Sequence, residues 1–515
     1  MLRRMTMLQR YVNKIVTFLV FLAVCHAQST TGSISGRLLD SSGAAMSKIT
    51  LTLRNMATGE VRSTQSEDSG DYLSPAAPTG RYVIAAEATG FKRVVRGLIT
   101  LDVNQNARVD LTLQLGSVNE VVQVTGDAPR SIHATFSLGL LWMRRVQELP
   151  LNGRNVYDLM QLTPGTVNVN TSLTGSNDAN NLNVNGNRIR ENNFFLDGAF
   201  NNSLFRNGGN MAPNPDAVEE FHLITSNFDA EYGRLPGSVM NVVTKSGTNG
   251  FHGTLFDFLR NDSLNARNFF LGAATPLKRN QFGGTLGGPV VKNRTFFFLS
   301  YQGLRLRTSS SENGIIVPTA AMRQGDFSAL APSKWPIDPR TGKAFANGMI
   351  PSSRLDPVAT QILNKLVPLP NNAAGTYTDL ESAPVNNDQG IARIDHQITN
   401  SNKISGTLFI DRTNGTLPFG GISNIANYGL TATNYKQENV VVNDTWSIAP
   451  TLLNEARFSY TRNLYATTTP IRTSWPDFGS QVTLGATPVS ANLRNVVFGP
   501  MCTRWKMRRT KTGKY

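Results

Sequence analysis

Side chains that commonly carry catalysis are few in this chain, and their spacing fits no enzyme site. The 515 residues include five histidines and two cysteines. No histidine has a glutamate three or four residues further on, as a zinc-binding metallopeptidase motif requires. The sequence also has no Gly-x-Ser-x-Gly nucleophile motif and no phosphate-binding Gly-Lys-Ser/Thr loop. We therefore predict that the protein is not an enzyme and has no catalytic residue, no metal site and no cofactor.

Basic residues are numerous, but their distribution is not that of a nucleic-acid-binding protein. The formal net charge is +15. Four basic residues lie before residue 28 and six lie in the last fifteen positions, and neither segment contains an acidic residue. The remaining body has 40 basic and 35 acidic residues, a net charge of only +5. No stripe of cations remains that would neutralise many phosphates, so we predict no nucleic-acid partner.

The N-terminus has the pattern of an export signal. A basic start is followed by an apolar run over residues 15–24 and by Cys25-His26-Ala27, which predicts a secretory signal peptide over residues 1–27. Lipidation at Cys25 and a buried N-terminal helix are the two alternatives. No later segment has the roughly 18 consecutive apolar residues of a transmembrane helix. An exported chain of this kind is either soluble or a β-barrel.

Short alternating segments over residues 30–116 predict a small β-sandwich. Leu51 and Leu53 alternate with Thr50 and Thr52, which gives the strand one apolar face and one polar face. The motifs of this segment are Gly36-Arg-Leu-Leu-Asp, Thr58-Gly59, Asp68-Ser-Gly70-Asp-Tyr72, Pro78-Thr-Gly80-Arg-Tyr82 and Gly90-Phe91. In this order they resemble the carboxypeptidase regulatory-like domain. The resemblance implies a transthyretin-like, carbohydrate-binding-like fold, for which carbohydrate or another large ligand is a candidate partner.

Residues 118–247 have a different composition. Between residues 152 and 214 there are 17 asparagines in 63 residues, so the segment is either disordered or packed inside something polar. Three local signals favour order. A helix is predicted with Val156, Leu159 and Met160 on one face, residues 237–247 read as a buried strand, and Asp216 is a candidate helix N-cap with Glu219 three residues later.

Six motifs in this segment carry the most specific resemblance. They are Glu148-Leu-Pro-Leu-Asn-Gly-Arg-Asn, Asn185-Gly-Asn-Arg, Phe195-Leu-Asp-Gly198, Pro215-Asp-Ala-Val-Glu-Glu-Phe221, Ser226-Asn-Phe-Asp-Ala-Glu-Tyr-Gly233 and Asn241-Val-Val-Thr-Lys-Ser-Gly-Thr-Asn249. In order and spacing they resemble the plug domain of Oar-like TonB-dependent outer-membrane receptors. The resemblance implies a plug signature at Asn152, Gly153, Arg154, Asp197, Gly198, Glu231, Tyr232, Gly233, Asn241, Thr244 and Lys245. We expect the most prominent of these, 196–198 and 231–233, to form structural turns or contacts between plug and wall rather than ligand contacts.

Residues 248–500 alternate as transmembrane β-strands do. Over residues 401–412, Ile404 and Leu408 share one face while Ser405 and Thr407 share the other, with Phe409 as an apolar exception on the polar face. The segments 294–302 and 452–462 repeat this pattern, the first again with aromatic exceptions. A soluble antiparallel sandwich produces the same alternation. The plug-like segment before it favours the first part of an outer-membrane barrel.

Length limits this interpretation. A barrel that holds a plug of about 100 residues has about 22 strands, whereas the 268 residues after Gly247 provide roughly eight to ten, with 314–385 expected to be one long loop. The sequence therefore predicts the front portion of a receptor. Residues 501–515 form an atypical basic tail without alternation, which we interpret as read-through in a wrong frame or an interrupted gene, with a genuine basic tail as the alternative.

One further segment is a candidate contact for an energy-transducing partner. Residues Glu120, Val121, Val122, Gln123, Val124, Thr125 and Gly126 resemble the strand that such receptors present to TonB. The alternative is the last strand of the first domain or the first strand of the plug. The fold predicted overall is mainly β: an N-terminal sandwich, an α+β plug and a partial antiparallel transmembrane barrel. The function predicted is TonB-dependent transport across the outer membrane, in contact with its lipid, and the alternative is a surface-exposed glycan-binding or adhesion protein.

Overall fold

The computed structural model describes most of the chain after residue 30. The described residues are 31–103, 105–116, 121–124, 140–142, 151, 153–168, 182–203, 207–225, 228, 232–233, 235–266, 276–373, 375–418, 431–449, 452–468, 478–479 and 491–507. The expected signal peptide, Glu120, Thr125, Gly126, Asn152 and Glu231 lie outside them. Among the described residues, no helix is both long enough and apolar enough to cross a membrane.

The N-terminal domain is a sandwich of two sheets. Its strands are β1 (Gly32–Asp40), β2 (Thr50–Asn55), β3 (Val61–Gln65), β4 (Asp71–Ala77), β5 (Gly80–Glu87), β6 (Arg93–Leu101), β7 (Asn106–Arg108), β8 (Leu111–Leu113) and β9 (Val121–Val124). One sheet has β1 at its centre, paired with β4, β7 and β8, and the other has the order β3-β2-β5-β6-β9. Leu51 and Leu53 are fully buried between the sheets while Thr50 is exposed, as the alternation predicts.

The second region is a small mixed sheet with short helical turns. A 3-10 helix (Val156–Leu162) precedes β11 (Thr166–Asn168) and β12 (Leu182–Val184), which pair with each other. The central sheet has the order β10-β15-β16-β13-β14, formed by β10 (Leu140–Trp142), β13 (Asn193–Leu196), β14 (Ala199–Phe200), β15 (Val218–Ile224) and β16 (Val239–Thr244). The predicted helical face is buried at Val156, Leu159 and Met160. The predicted buried strand is β16, in which all six residues are buried.

The capping prediction at Asp216 is wrong. The N-cap is Asn214, whose side chain accepts a hydrogen bond from the backbone N–H of Ala217. Pro215 follows as the first helical residue, a position that proline favours because its fixed φ suits the first turn. The helical turn ends at Ala217, so Glu219 lies in β15 and cannot complete a capping box.

The third region is a wall of nine antiparallel strands. These are β17 (His252–Asn261), β18 (Leu277–Val291), β19 (Thr295–Ile315), β20 (Tyr377–Ser382), β21 (Val385–Thr399), β22 (Asn402–Leu417), β23 (Thr431–Ala449), β24 (Leu452–Thr468) and β25 (Ala491–Met507). They pair in chain order, except that β19 pairs with β21 along most of its length and with the short β20 at its far end. Within the described residues the sheet is open, with β17 and β25 at its two edges.

The structure differs from the sequence-based expectations in two places. The connection between β19 and β21 is not one plain loop, because it contains β20, helix α1 (Ala320–Arg323) and helix α2 (Pro357–Leu366). Arg323 links the helices by donating hydrogen bonds to the carbonyl oxygens of Leu363, Val367 and Pro368. In addition, the backbone of β25 pairs with β24 as far as Met507 and so extends seven residues past residue 500.

Candidate functional site at the plug and wall interface

The inner face of the wall and the sheet of the second region share one hydrophobic core. Phe298 of β19 and Phe409 of β22 are fully buried, and Ile391 of β21 is nearly so. All three belong to the same cluster as Leu196, Met240 and the buried face of the 3-10 helix. The aromatic exceptions in the alternating strands therefore face inward because they pack on this second region, which occupies the concave side of the wall as a plug does.

Polar side chains surround that core and connect the two regions directly. The backbone N–H of Asn214 donates to Gln389 Oε1 at 2.6 Å, and its side-chain Nδ2 donates to Ser300 Oγ at 2.9 Å. The backbone N–H of Met211 donates to Gln437 Oε1 at 2.9 Å. Buried polar groups need such partners, and asparagine-rich loops supply both donors and acceptors. The asparagine-rich segment is therefore ordered by the wall's polar interior over its described residues.

A buried ionic cluster lies near one end of this interface. Asp197 of the plug accepts hydrogen bonds from the backbone N–H and the hydroxyl of Thr244, both at 2.8 Å. Arg393 of β21 donates to the carbonyl and hydroxyl oxygens of Thr244 at 2.9 and 3.0 Å, and it lies 3.4 Å from Asp197 and 2.9 Å from Asp395. Lys403 of β22 lies 3.3 Å from the second oxygen of Asp395. The cluster alternates in charge and bridges plug and wall.

The backbone that presents Asp197 is a tight hairpin turn. Asp197 and Gly198 both have positive φ, 48° and 75°, between the paired strands β13 and β14. This is the geometry in which Asp-Gly is favoured. The carbonyl oxygen of Gly198 accepts a hydrogen bond from Arg457 of β24 at 3.0 Å, and a Cβ at Gly198 would lie 2.5 Å from that guanidinium. Glycine thus suits the positive φ of the turn, and a side chain at this position would displace the guanidinium of Arg457.

A second arginine joins plug and wall near β17. Arg154 forms an ion pair with Asp216 within the plug. Its guanidinium lies over the rings of Phe256 and Phe258, at 4.5 and 4.2 Å from their centroids. Cation–π contacts of this kind strengthen when they are shielded from water. The neighbouring Gly153 accepts hydrogen bonds on its carbonyl oxygen from two wall residues, Arg279 at 3.2 Å and Gln281 at 3.1 Å.

The other described residues of the expected signature have varied positions. Tyr232 is buried against Phe195 and Val239, and Gly233 lies in an exposed turn. Asn241 is buried in β16, and its Oδ1 has no hydrogen-bond partner among the described residues. Burial lowers the pKa of Lys245, which donates its backbone N–H to the carbonyl oxygen of Ala217. No ligand role is evident for these four residues in the geometry.

The sandwich contacts both of the other regions. The backbone N–H of Val103 donates to both carboxylate oxygens of Glu220 in β15, at 3.2 and 2.9 Å. The backbone N–H of Asn249 donates to the carbonyl oxygen of Ala57 at 3.0 Å. A cavity of about 500 Å³ lies at this junction, lined by residues of all three regions. Sequence reasoning missed Glu220, because no local pattern marks a contact between residues 117 positions apart.

Burial changes the ionisation of two side chains on β15. Desolvation raises the pKa of Glu220 to about 8, and the nearby carboxylates of Asp102 and Glu219 act in the same direction. The hydrogen bond from Val103 acts in the opposite direction and only partly offsets burial. Burial also lowers the pKa of His222 to about 4. In both side chains, burial thus favours the neutral form.

Comparisons with known proteins identify two of the regions. Residues 243–507 match the family model for an outer membrane beta barrel domain, and residues 33–114 match the carboxypeptidase regulatory-like domain. The first match covers more than half of the chain. The chain belongs to the outer membrane beta barrel domain family. The protein is accordingly located in the outer membrane.

The chain is also homologous to a curated transporter. It is 28% identical over 305 residues to the TonB-dependent transporter Oar of Myxococcus xanthus, and the match covers 55% of this chain and 27% of Oar. The chain thus spans about a quarter of the relative that it matches. Among solved structures, the outer membrane transporter YddB of Escherichia coli is 10% identical with a TM-score of 0.42, covering 64% of this chain and 39% of YddB. A variant of the ferric enterobactin receptor PfeA of Pseudomonas aeruginosa is 14% identical with a TM-score of 0.40, covering 70% of this chain and 44% of PfeA.

In this outer-membrane barrel protein, the described part of the candidate partner segment is a strand of the sandwich. Residues 121–124 form β9, which pairs in parallel with the edge of β6, so that Val122 lies opposite Val94. This is one of the two alternatives that the sequence leaves open. β9 is the last strand of its sheet, and its other edge is unpaired among the described residues.

No metal site is found in the described part of the barrel protein. Within these residues, no group of three or more histidine, cysteine, aspartate or glutamate side chains is placed to hold a metal ion. Within the buried ionic cluster, Arg393 is paired with Asp197 of the plug and with Asp395 of its own strand, and Asp395 is also paired with Lys403.

Proposed function

We propose that this chain provides the plug and part of the wall of a TonB-dependent transporter that takes up a substrate across the outer membrane. The observation that carries the proposal is the shared core of plug and wall, in which Phe298, Ile391 and Phe409 pack on the plug. A plug held in this way blocks passage until a force displaces it. The ionic cluster around Arg393 then acts as a latch, because its partners come from both regions.

The two ends of the wall support an orientation in the membrane. The connections β18–β19, β21–β22 and β23–β24 are only two or three residues long, whereas β19 and β21 are joined through a folded segment of about 70 residues. In outer-membrane barrels, short turns face the periplasm and long loops face the exterior. The sandwich contacts the end with short turns through Asn249, which also bonds to Asn293 in the β18–β19 turn. We therefore infer a periplasmic position for the sandwich, which supports transport over the alternative of a surface-exposed glycan-binding or adhesion protein.

The position of β9 supports coupling to a periplasmic partner. One edge of β9 has no partner among the described residues and offers backbone donors and acceptors to an added strand, the mode by which an extended partner segment binds a sheet. The chain continues from β9 toward β10 of the plug, so a pull on β9 is transmitted to the plug along the chain. A sealed pore also needs further strands between β17 and β25, because the bilayer does not tolerate unpaired sheet edges.

The partner interaction is tested by two neighbouring proline variants. Successive backbone N–H groups of a strand point to opposite sides. Of the variants Val122→Pro and Gln123→Pro, one therefore removes a donor toward β6 and the other removes a donor toward the free edge. We expect the full chain in detergent to bind the periplasmic domain of a TonB-type protein. One of the two variants should lower this affinity about tenfold, while the other leaves it nearly unchanged. Equal effects of both variants, or no binding by the unmodified chain, would contradict the proposal.

A further inference from the structure

A polar cavity lies where the sandwich meets the plug and the wall. Its volume of about 500 Å³ is in the range of small-molecule sites. The plug contributes the side chains of Glu219 and Lys245 to its lining. Hydroxyl groups come from all three regions, namely from Thr58, Thr79, Ser246, Ser405 and Thr445. A lining of this kind suits a small polar solute.

Two charged side chains at this cavity are not balanced within the protein. Arg62 of the sandwich forms an ion pair with Glu60 at 2.6 Å. Each member of the buried ionic cluster around Arg393 has a partner of opposite charge within that cluster. Among the described residues, however, the side chains of Glu219 and Lys245 form neither a hydrogen bond nor an ion pair. The cavity thus contains one unpaired carboxylate and one unpaired ammonium group.

A β-bulge directs Glu219 toward the cavity. Adjacent side chains of a regular strand point to opposite faces. In β15, Val218 lies opposite Thr244, and Glu220 lies opposite the residue that precedes Thr244 in β16, so one residue of β15 is extra. The extra residue is Glu219, which lines the cavity on the side of the sandwich, where Glu220 also contacts Val103. Bulges change the direction of a side chain in this way beside functional sites.

Burial disfavours the charged form of both unpaired groups. Desolvation raises the pKa of Glu219, although the charges of Lys245, Arg393 and His252 act in the opposite direction. Desolvation also lowers the pKa of Lys245. A charge that is removed from water without a partner in contact costs free energy. A ligand that carries both an ammonium group and a carboxylate would supply the two missing partners.

We propose that the cavity binds a small zwitterion, an amino acid or a short peptide, with its ammonium group on Glu219 and its carboxylate on Lys245. Charge-assisted hydrogen bonds of both kinds are strong. Thr58 and Thr79 of the sandwich line the same cavity, so the ligand bridges sandwich and plug and stabilises their docking by mass action. Binding requires neither a TonB-type partner nor movement of the plug. This site and the proposed transport can therefore fail independently.

Three dipeptide probes with different terminal charges test the site. Dialanine is the zwitterion, N-acetyl-dialanine lacks the ammonium group, and dialanine amide lacks the carboxylate. Isothermal titration calorimetry on the full chain in detergent measures the affinity for each probe. We expect dialanine to bind about tenfold more tightly than either blocked probe, because each blocked probe loses one hydrogen bond between charged groups. Similar affinities for all three probes, or no binding of dialanine, would overturn the proposal.

Two variants assign each charge of the ligand to its partner. Glu219→Gln should bind dialanine about tenfold more weakly and should no longer distinguish it from N-acetyl-dialanine, while it still distinguishes dialanine from dialanine amide. Lys245→Gln should show the reverse pattern.

Matched controls make the same changes outside the cavity. Glu87→Gln changes an exposed carboxylate that pairs with Arg93, and Lys292→Gln changes an exposed cation in the β18–β19 turn. Both controls should keep the affinities of the unmodified chain. If Glu219→Gln and Lys245→Gln weakened the binding of all three probes equally, the two residues would have a structural role and the proposal would be wrong.

The effect of the ligand on docking has a measurement of its own. Hydrogen exchange of the Val103 amide reports the contact between the sandwich and Glu220. Dialanine should slow this exchange in the unmodified chain, by a factor that rises with its concentration above the dissociation constant. The same concentrations should leave the exchange unchanged in Glu219→Gln. Unchanged exchange in the unmodified chain at saturating dialanine would contradict a ligand that bridges sandwich and plug.

Discussion

At the scale of single residues, the contacts of Arg393 are the basis of the proposed latch between wall and plug. Its guanidinium contacts Asp197 and Thr244 of the plug and Asp395 of its own strand. Both carboxylates are nearly inaccessible to water, with 2% exposure for each residue. Removing one member of a buried charge cluster leaves the remaining charges uncompensated. The free-energy cost of an uncompensated buried charge exceeds the net stabilisation that the ion pair provides.

Arg393→Gln should therefore weaken the seating of the plug. Glutamine keeps most of the side-chain volume but removes the positive charge that contacts Asp197 and Asp395. We expect a loss of about 3–5 kcal/mol in the free energy of local opening, measured by hydrogen exchange of the β16 amides. The control Arg294→Gln makes the same change at an exposed arginine beside the β18–β19 turn and should leave exchange unaltered. Equal exchange in both variants would exclude a latch at Arg393.

Glu220 should make the docking of the sandwich pH-dependent. When docked, Glu220 holds its proton up to its raised pKa of about 8, whereas a free glutamate has a pKa near 4.5. Between these two pKa values, the docked state therefore binds more protons than the undocked state. Docking weakens as the pH rises from 4.5 to 8 and is constant above pH 8. Exchange of the Val103 amide, taken relative to the Glu220→Gln variant, should increase over this range. Glu87→Gln, at an exposed ion pair with Arg93, should retain the pH dependence, and a flat ratio in the unmodified chain would contradict the prediction.

Single residues were predictable from the sequence only where a local rule applied. The Asp197-Gly198 turn follows from the positive φ that both positions need. Its partners Arg393 and Arg457 could not be predicted, since they lie about 200 and 260 positions away and no local pattern links them. The plug signature at Asn152 and Glu231 stays a prediction, because both lie outside the described residues.

At the scale of elements, alternation predicted strands and faces well. The segments 294–302, 401–412 and 452–462 lie within β19, β22 and β24. Phe298 and Phe409 are exceptions to the alternation, because a pattern of polar inward residues and apolar outward residues assumes that the interior is filled with water. The interior is filled by the plug, so inward aromatic residues are buried in its core. Such exceptions in alternating strands are a signal that a second region packs inside.

Elements formed by side-chain capping were harder to predict. The connection between β19 and β21 was expected to be one loop because it is rich in proline, asparagine and alanine. Asp356 in fact caps α2 by accepting the backbone N–H of Ala359, with Pro357 as the first helical residue. A capping signal of this kind was present in the sequence but is only local, and tertiary contacts through Arg323 complete the fold of the connection.

The sandwich strand β2 gives a direct test of domain independence. Residues 30–116 should fold alone, because their core residues contact one another without lipid. Leu51→Asp in this fragment should abolish folding by burying an unpaired charge, whereas Thr50→Asp, on the exposed face of the same strand, should be tolerated. Circular dichroism with thermal melting measures both. Loss of a cooperative melt in the unmodified fragment would show that the domain depends on its contacts with the plug.

At the scale of the whole molecule, the sandwich contacts both the plug and the wall, and the plug packs on the inward face of the wall. The sandwich contacts the end of the wall with short turns, the plug fills the concave side of the wall, and the folded connection lies at the opposite end. The order of the regions along the chain was predictable from composition and motifs. Their mutual placement was not, because it depends on contacts such as Val103 with Glu220 and Met211 with Gln437 that join distant positions.

The central claim is that the plug occupies the inward face of the wall while the alternate residues face lipid. A cysteine cross-link tests it most directly, in a chain whose Cys25 and Cys502 are changed to serine. Asn214 contacts the inward Ser300 at 2.9 Å, and the next residue, Tyr301, faces outward with 45% exposure. Under oxidation in isolated outer membranes, we predict that the pair Asn214→Cys, Ser300→Cys forms a disulfide, seen as a shift on a non-reducing gel, and that Asn214→Cys, Tyr301→Cys does not. A disulfide in the second pair, or in neither, would contradict the arrangement of plug and wall.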